Sequence, residues 1–68
     1  MARYYVNDNA QPNGDHEVHR SDCSRLPASE NRIYLGDFTS CGLAVTQAKT
    51  LYTQVNGCFY CSNPCHTQ

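Results

Sequence analysis

The alternation of apolar and polar positions changes its period along this chain, and each change marks an element. Ala2-Arg-Tyr-Tyr-Val6 is aromatic and β-branched and predicts a strand. Asn7 to Asp15 is polar turn chemistry, and Asn13-Gly14 supplies the positive φ that a hairpin needs. His16 to His19 predicts the returning strand, with Val18 on one face and Glu17 and His19 on the other. Ser21 to Arg32 is polar, contains Leu26-Pro27 and predicts a loop with Cys23 near its start. Arg32 to Phe38 predicts a third short strand that ends near Gly36. Thr39-Ser40 offers a hydroxyl N-cap to a helix over Cys41 to Tyr52. In that helix Ala44, Ala48, Leu51 and Tyr52 recur at i, i+4, i+7 and i+8. Gly42 weakens its first turn, and Asn56-Gly57 closes the segment, with Gly57 suited to a left-handed cap. The tail from Ser62 is either a second ligand-bearing turn or a frayed end.

Composition makes this outline hard to stabilise by packing alone. The chain has 68 residues, and five of its apolar residues are cysteines. A chain this short buries only about 60% of its unfolded surface, so a thin core needs a staple. The remaining apolar residues (Leu26, Ile33, Leu35, Phe38, Leu43, Val45, Leu51, Val55, Phe59 and the tyrosines) fit a core under one helix. One domain over 1–68 is the expectation.

The formal net charge is −1, and Arg3, Arg20, Arg25, Arg32 and Lys49 are scattered with no basic run. That weighs against nucleic acid as a partner, which calls for a basic stripe. No stretch of about 18 apolar residues spans a bilayer, and no secretory signal is visible in these residues, so the chain is expected to be cytosolic or to have had a signal removed. A cytoplasmic monomer with no membrane association is therefore expected. Five cysteines cannot all pair within one molecule, which favours reduced thiols and a metal over a disulfide framework.

The strongest chemical signal is His19-Arg-Ser-Asp-Cys23 together with Cys58-Phe-Tyr-Cys61. Each half carries two soft or borderline donors at a spacing that lets a tight turn aim both at one ion. Three thiolates and an imidazole suit a closed tetrahedral Zn²⁺ site. Strand and helix lie between the halves, so binding would close the whole fold. A structural zinc contributes on the order of 10 kcal/mol of apparent free energy near neutral pH.

The order HRSDC, then a helix carrying Ala44, Val45, Ala48 and Lys49, then GCFYC resembles the small zinc-binding domain of the Ada methyl-phosphotriester repair family. It is also similar to Ada-like metal-binding modules found alone or appended to bacterial nucleases. The resemblance covers about Val18 to Cys61 and implies that His19, Cys23, Cys58 and Cys61 are zinc ligands. At the first position the Ada protein has a cysteine that accepts a methyl group from DNA phosphate. This chain has His19, whose imidazole cannot perform thiolate methyl transfer.

Other residues invite chemistry. Cys41 stands at the predicted helix N-terminus, where the dipole favours a reactive thiolate, although a small buried apolar role is commoner. Cys65-His66 is an alternative ligand pair, a second ion site or an exposed tail with a spare thiol. A Cys–His dyad with His66 or His16 lacks the length for a cleft, and a redox role for Cys58-x-x-Cys61 lacks a thioredoxin-like context. Asp22 and Glu17 flank the site and could orient His19. Tyr4, Tyr5, Tyr34, Tyr52 and Tyr60 fit half-buried core better than base stacking, and Phe59-Tyr60 is the best contact surface for a partner.

The expectation is an α+β zinc-stapled module with a β-hairpin, a third strand, one helix and a C-terminal CxxC knuckle. It would act without catalysis on an unknown protein or nucleic-acid partner. The alternatives are a thiol-based sensor using Cys41 or Cys65 and an Ada-like nucleic-acid binder.

Overall fold

In the computed structural model, which describes residues 1–67, four strands and one helix form an α+β fold. Strand β1 is Ala2–Asn7, β2 is His16–Arg20, β3 is Arg32–Phe38 and β4 is Val55–Gly57. Helix α1 is Cys41–Ala48. The sheet order is β3-β1-β2-β4. β1 runs antiparallel to both β2 and β3, while β2 and β4 are parallel.

The hairpin forms where turn chemistry predicts it. Gly14 takes φ +95°, and the Asn13 side-chain oxygen accepts from the Asp15 N–H at 3.0 Å. Cross-strand register then fixes the faces. Val6 lies opposite Val18 on the face under α1, and Tyr5 lies opposite His19 on the other. The β1–β3 register shifts between Tyr4 and Tyr5, which pair with Gly36 and Tyr34, so Leu35 is the extra residue of a bulge. Leu35 is thereby buried in the core cluster with Tyr4, Val6, Val18, Ala44 and Ala48.

Ser40 caps α1, its hydroxyl accepting from the Leu43 N–H at 3.5 Å. The helix is one turn shorter than its periodicity suggests. After Ala48 the N–H groups of Thr50 and Leu51 reach back three residues, to Gln47 and Ala48. Leu51, expected on the buried face, is 51% exposed as a result. Tyr52 does reach the core, stacked on the His16 ring at 3.7 Å between centroids.

The sequence outline contains no fourth strand. Val55–Gly57, of which Asn56-Gly57 is expected to close the helical segment, is extended and pairs with His16–Val18. Gly57 has no positive φ and is no helix cap. It is small because Cys65 packs on it: a Cβ there would lie 2.7 Å from the Cys65 Cβ and 2.8 Å from the Ser62 carbonyl oxygen.

Candidate metal centre

Two half-sites meet at the ends of the parallel strand pair. β2 delivers His19, and the Ser21 N–H donates to the Arg3 carbonyl at 2.8 Å as the chain leaves the sheet. Two successive turns follow, closed by Cys23 N–H to Arg20 O at 3.0 Å and Leu26 N–H to Cys23 O at 3.2 Å. They fold Cys23 back over the strand end. On the other side Cys58 follows β4 directly, and its N–H donates to the Val18 carbonyl at 2.9 Å. The Ser62 N–H donates to the Cys58 carbonyl at 2.8 Å, so residues 58–62 form one tight turn that returns Cys61 to the site.

The candidate donor atoms of His19, Cys23, Cys58 and Cys61 lie within 4.8 Å of one another, close enough to hold one metal ion. The Cys23 and Cys58 sulfurs are 3.8 Å apart. Tetrahedral ligands about 2.0–2.3 Å from a centre lie roughly 3.3–3.8 Å from each other, so small adjustments close the shell. Backbone N–H groups already address the sulfurs: Arg20 to Cys61 at 3.3 Å and Arg25 to Cys23 at 3.4 Å. Such donors stabilise thiolate, the form a metal takes.

His19 supplies the sharpest test of fit. Its side chain is only 2% exposed, and its Nδ1 finds no hydrogen-bond partner among the described residues. A buried, unpaired polar nitrogen costs about 1–3 kcal/mol. Its Nε2 lies 3.6 Å from the Glu17 Oε1 on the same strand face. Nδ1 is thus open to ligation, and Glu17 is placed to back the other nitrogen, an arrangement common to metal-ligating histidines. Asp22, the second carboxylate expected beside the site, turns away and accepts from Arg20 Nε at 2.6 Å.

Electrostatics agree with a cation here. Burial lowers the His19 pKa, favouring the neutral imidazole that ligates metals. Burial is also the main reason that the Cys23 thiol is pushed up to about 12, with a hydrogen bond to Cys61 second. Without a cation the Cys23 thiol therefore keeps its proton, and a bound divalent ion reverses that balance. Burial is the chief cause that raises the Glu17 pKa, opposed by the charge of His66.

The two halves are also joined beyond the donors. The Arg25 guanidinium lies over the Tyr60 ring at 4.2 Å. Phe59 meets Tyr60 edge-on at 5.4 Å, and both rings stay mostly exposed at the tip of the knuckle.

The structure corrects the remaining cysteines. Cys41 and Cys65 form a disulfide across a sequence separation of 24. Cys41 is therefore neither a lone buried thiol nor a free nucleophile, and Cys65 is not a spare thiol. The odd count divides into one bridge and three free cysteines, Cys23, Cys58 and Cys61. Neither spacing nor parity could reveal this, because it depends on the tail folding back along α1. The tail is ordered by contacts: His66 Nδ1 lies 3.0 Å from the Gly57 carbonyl oxygen, and the Thr67 N–H donates to the buried Asn56 side chain at 3.0 Å. His66 is thus occupied away from the donor set, and His16 is stacked on Tyr52.

Among the described residues, no helix is long and apolar enough to cross a membrane. No family model, curated protein or solved structure matches the chain.

Proposed function

We propose that the chain is a zinc-stapled, non-catalytic binding module in which His19, Cys23, Cys58 and Cys61 hold one Zn²⁺. The observation that carries this is the convergence of His19, Cys23, Cys58 and Cys61, whose candidate donor atoms lie within 4.8 Å of one another, with the Nδ1 of His19 buried and unpartnered among the described residues. Three thiols and one imidazole favour zinc over the harder cations, and four protein ligands leave no position for water or substrate. The ion is structural, and the exposed Phe59 and Tyr60, fixed on the knuckle, serve as the contact surface of a monomer.

The test is chelation followed by circular dichroism. Removal of the ion with a strong chelator should unfold the protein, and addition of Zn²⁺ should restore it. A spectrum that is unchanged after complete metal removal would count against the proposal.

An Ada-like origin accounts for the donor order around a single helix, and we hold it as part of the proposal. The nucleic-acid binding it implies predicts salt-sensitive retention on DNA. The Cys41–Cys65 bridge bears on the cytoplasmic placement expected from the sequence. Cytosolic thiol pools keep ordinary bridges reduced, so in that compartment this one would be transient and redox-sensing.

A further inference from the structure

The Cys41–Cys65 bridge stands outside the donor set yet is packed onto half of it. It ties the first residue of α1 to the turn that follows Cys61. The Cys65 N–H donates to the Ser62 carbonyl at 2.9 Å, and the Ser62 hydroxyl lies 3.7 Å from the Cys61 sulfur. The body of Cys65 fills the space beside Gly57, the residue before Cys58. His66 holds the Gly57 carbonyl, and the Asn63 side chain donates to the Phe59 carbonyl at 3.3 Å. Residues 57–66 are therefore one knot that carries Cys58 and Cys61 and is anchored to the helix by a covalent link. Both bridge cysteines are partly exposed, so a reductant has access.

We propose that this bridge is a redox lever on the metal centre, such that its reduction by a dithiol weakens metal retention and its re-formation, by thiol–disulfide exchange with a small-molecule disulfide that leaves as two thiols, restores it. The idea rests on the metal assignment above. A thiolate of the reductant attacks one sulfur, the Cys41–Cys65 bond breaks, and the other cysteine leaves as thiolate and takes a proton. The second thiol of the reductant then attacks the mixed disulfide and releases the remaining cysteine. Two electrons and two protons pass to the protein, and the reductant ends as its own disulfide. The freed Cys65 no longer presses on Gly57, and the knot samples arrangements that do not aim Cys58 and Cys61 at one point. Apparent metal affinity falls by the fraction of chains that stay competent.

The experiment measures Zn²⁺ affinity by competition with a chromophoric chelator. Its arms are the oxidised protein, the protein reduced with a phosphine and desalted without oxygen, and the unreduced variant Cys41→Ser/Cys65→Ser. The expected result is at least a tenfold weaker affinity in the second and third arms, reversed in the second by re-oxidation. Equal affinity in the oxidised and reduced arms overturns the lever while leaving the metal site intact. An oxidised protein that binds no zinc overturns both. Should the variant fail to fold, the zinc dissociation rate of the reduced protein decides, and a rate equal to that of the oxidised form refutes the lever. The helix variant Ala48→Gly destabilises the fold away from the knuckle. It should retain zinc better than a reduced protein of matched melting temperature, and equal loss would mean that the effect is not local to the bridge.

Discussion

Val18 and Gly57 are partners across the parallel β2–β4 pair, and this register sets Cys58 beside His19. The Cys58 N–H extends the pairing by donating to the Val18 carbonyl at 2.9 Å. The candidate metal centre is thus a product of the sheet: the last bonds of a three-residue strand place one half-site against the other. Val18 is fully buried in the core, so packing under α1 and geometry at the donors are set by the same strand.

Loss of a donor should therefore cost both metal and fold. Cys58→Ser, Cys61→Ser and His19→Ala should each abolish stable zinc retention, read as metal content after desalting against a weak chelator. His19→Ala also leaves a cavity at a site that is 2% exposed. Wild-type metal content in any of these variants would mean that the donor set is wrong.

The carboxylate behind the imidazole gives a graded effect. Glu17→Gln keeps the shape of the side chain beside His19 Nε2 but removes its charge. Backing groups of this kind are worth about 10–100-fold in metal affinity. The expected outcome is a loss in that range with one equivalent of zinc still bound at saturation, measured by chelator competition. Unchanged affinity would show that Glu17 does not orient the ring.

Gly57→Ala tests the close approach of the tail. The new methyl group would meet Cys65 and the Ser62 carbonyl at distances that real contacts avoid. Overpacking of this kind costs about 1–3 kcal/mol, to be read from denaturant midpoints of the zinc-loaded protein. A neutral result would mean that the tail does not pack on β4.

The bridge itself should stabilise the zinc-loaded fold by about 3.5 kcal/mol, from the entropy of closing a loop of this separation. Cys65→Ser should lower the denaturant midpoint accordingly. A change within error would argue that Cys41 and Cys65 are unpaired in solution.

Tyr52 carries a pH signature. Its hydroxyl donates to Asp8 at 2.5 Å, and chiefly for that reason its pKa is raised to about 12. The folded value lies above the ordinary phenol value, so this contribution to stability is complete below about pH 10 and is lost as pH rises through 12. Ultraviolet titration of the folded protein should show a tyrosine ionising near pH 12 that disappears in Tyr52→Phe, beside Tyr34, whose pKa is also raised, chiefly by its hydrogen bond to Asp37. Ionisation of all tyrosines near pH 10 would remove the contact.

Much of this arrangement is legible in the residues. Asn13-Gly14 announces its turn, the β-branched and aromatic residues announce β1 and β3, the alternation about Val18 after the turn announces β2, and Ser40 announces the helix start, because each depends on local chemistry. The four donors are legible because thiol and imidazole at short spacing have few other uses. Long-range pairing is what local patterns cannot carry. Val55-Asn56-Gly57 is too short to show a period, and becomes a strand only through its partner β2. Leu51 continues the helical period yet lies outside, since Thr50 has already tightened the backbone. Cys65 gives no sign of its partner, because 24 positions and a whole helix separate it from Cys41.

The most direct measurement is native mass spectrometry of the purified protein, before and after chelation, with a count of reactive thiols at each stage. The account predicts a single zinc ion whose removal exposes three thiols, with Cys41 and Cys65 unreactive until a reductant is added. A folded protein that carries no metal, or a sulfur–sulfur bond among Cys23, Cys58 and Cys61, would contradict it.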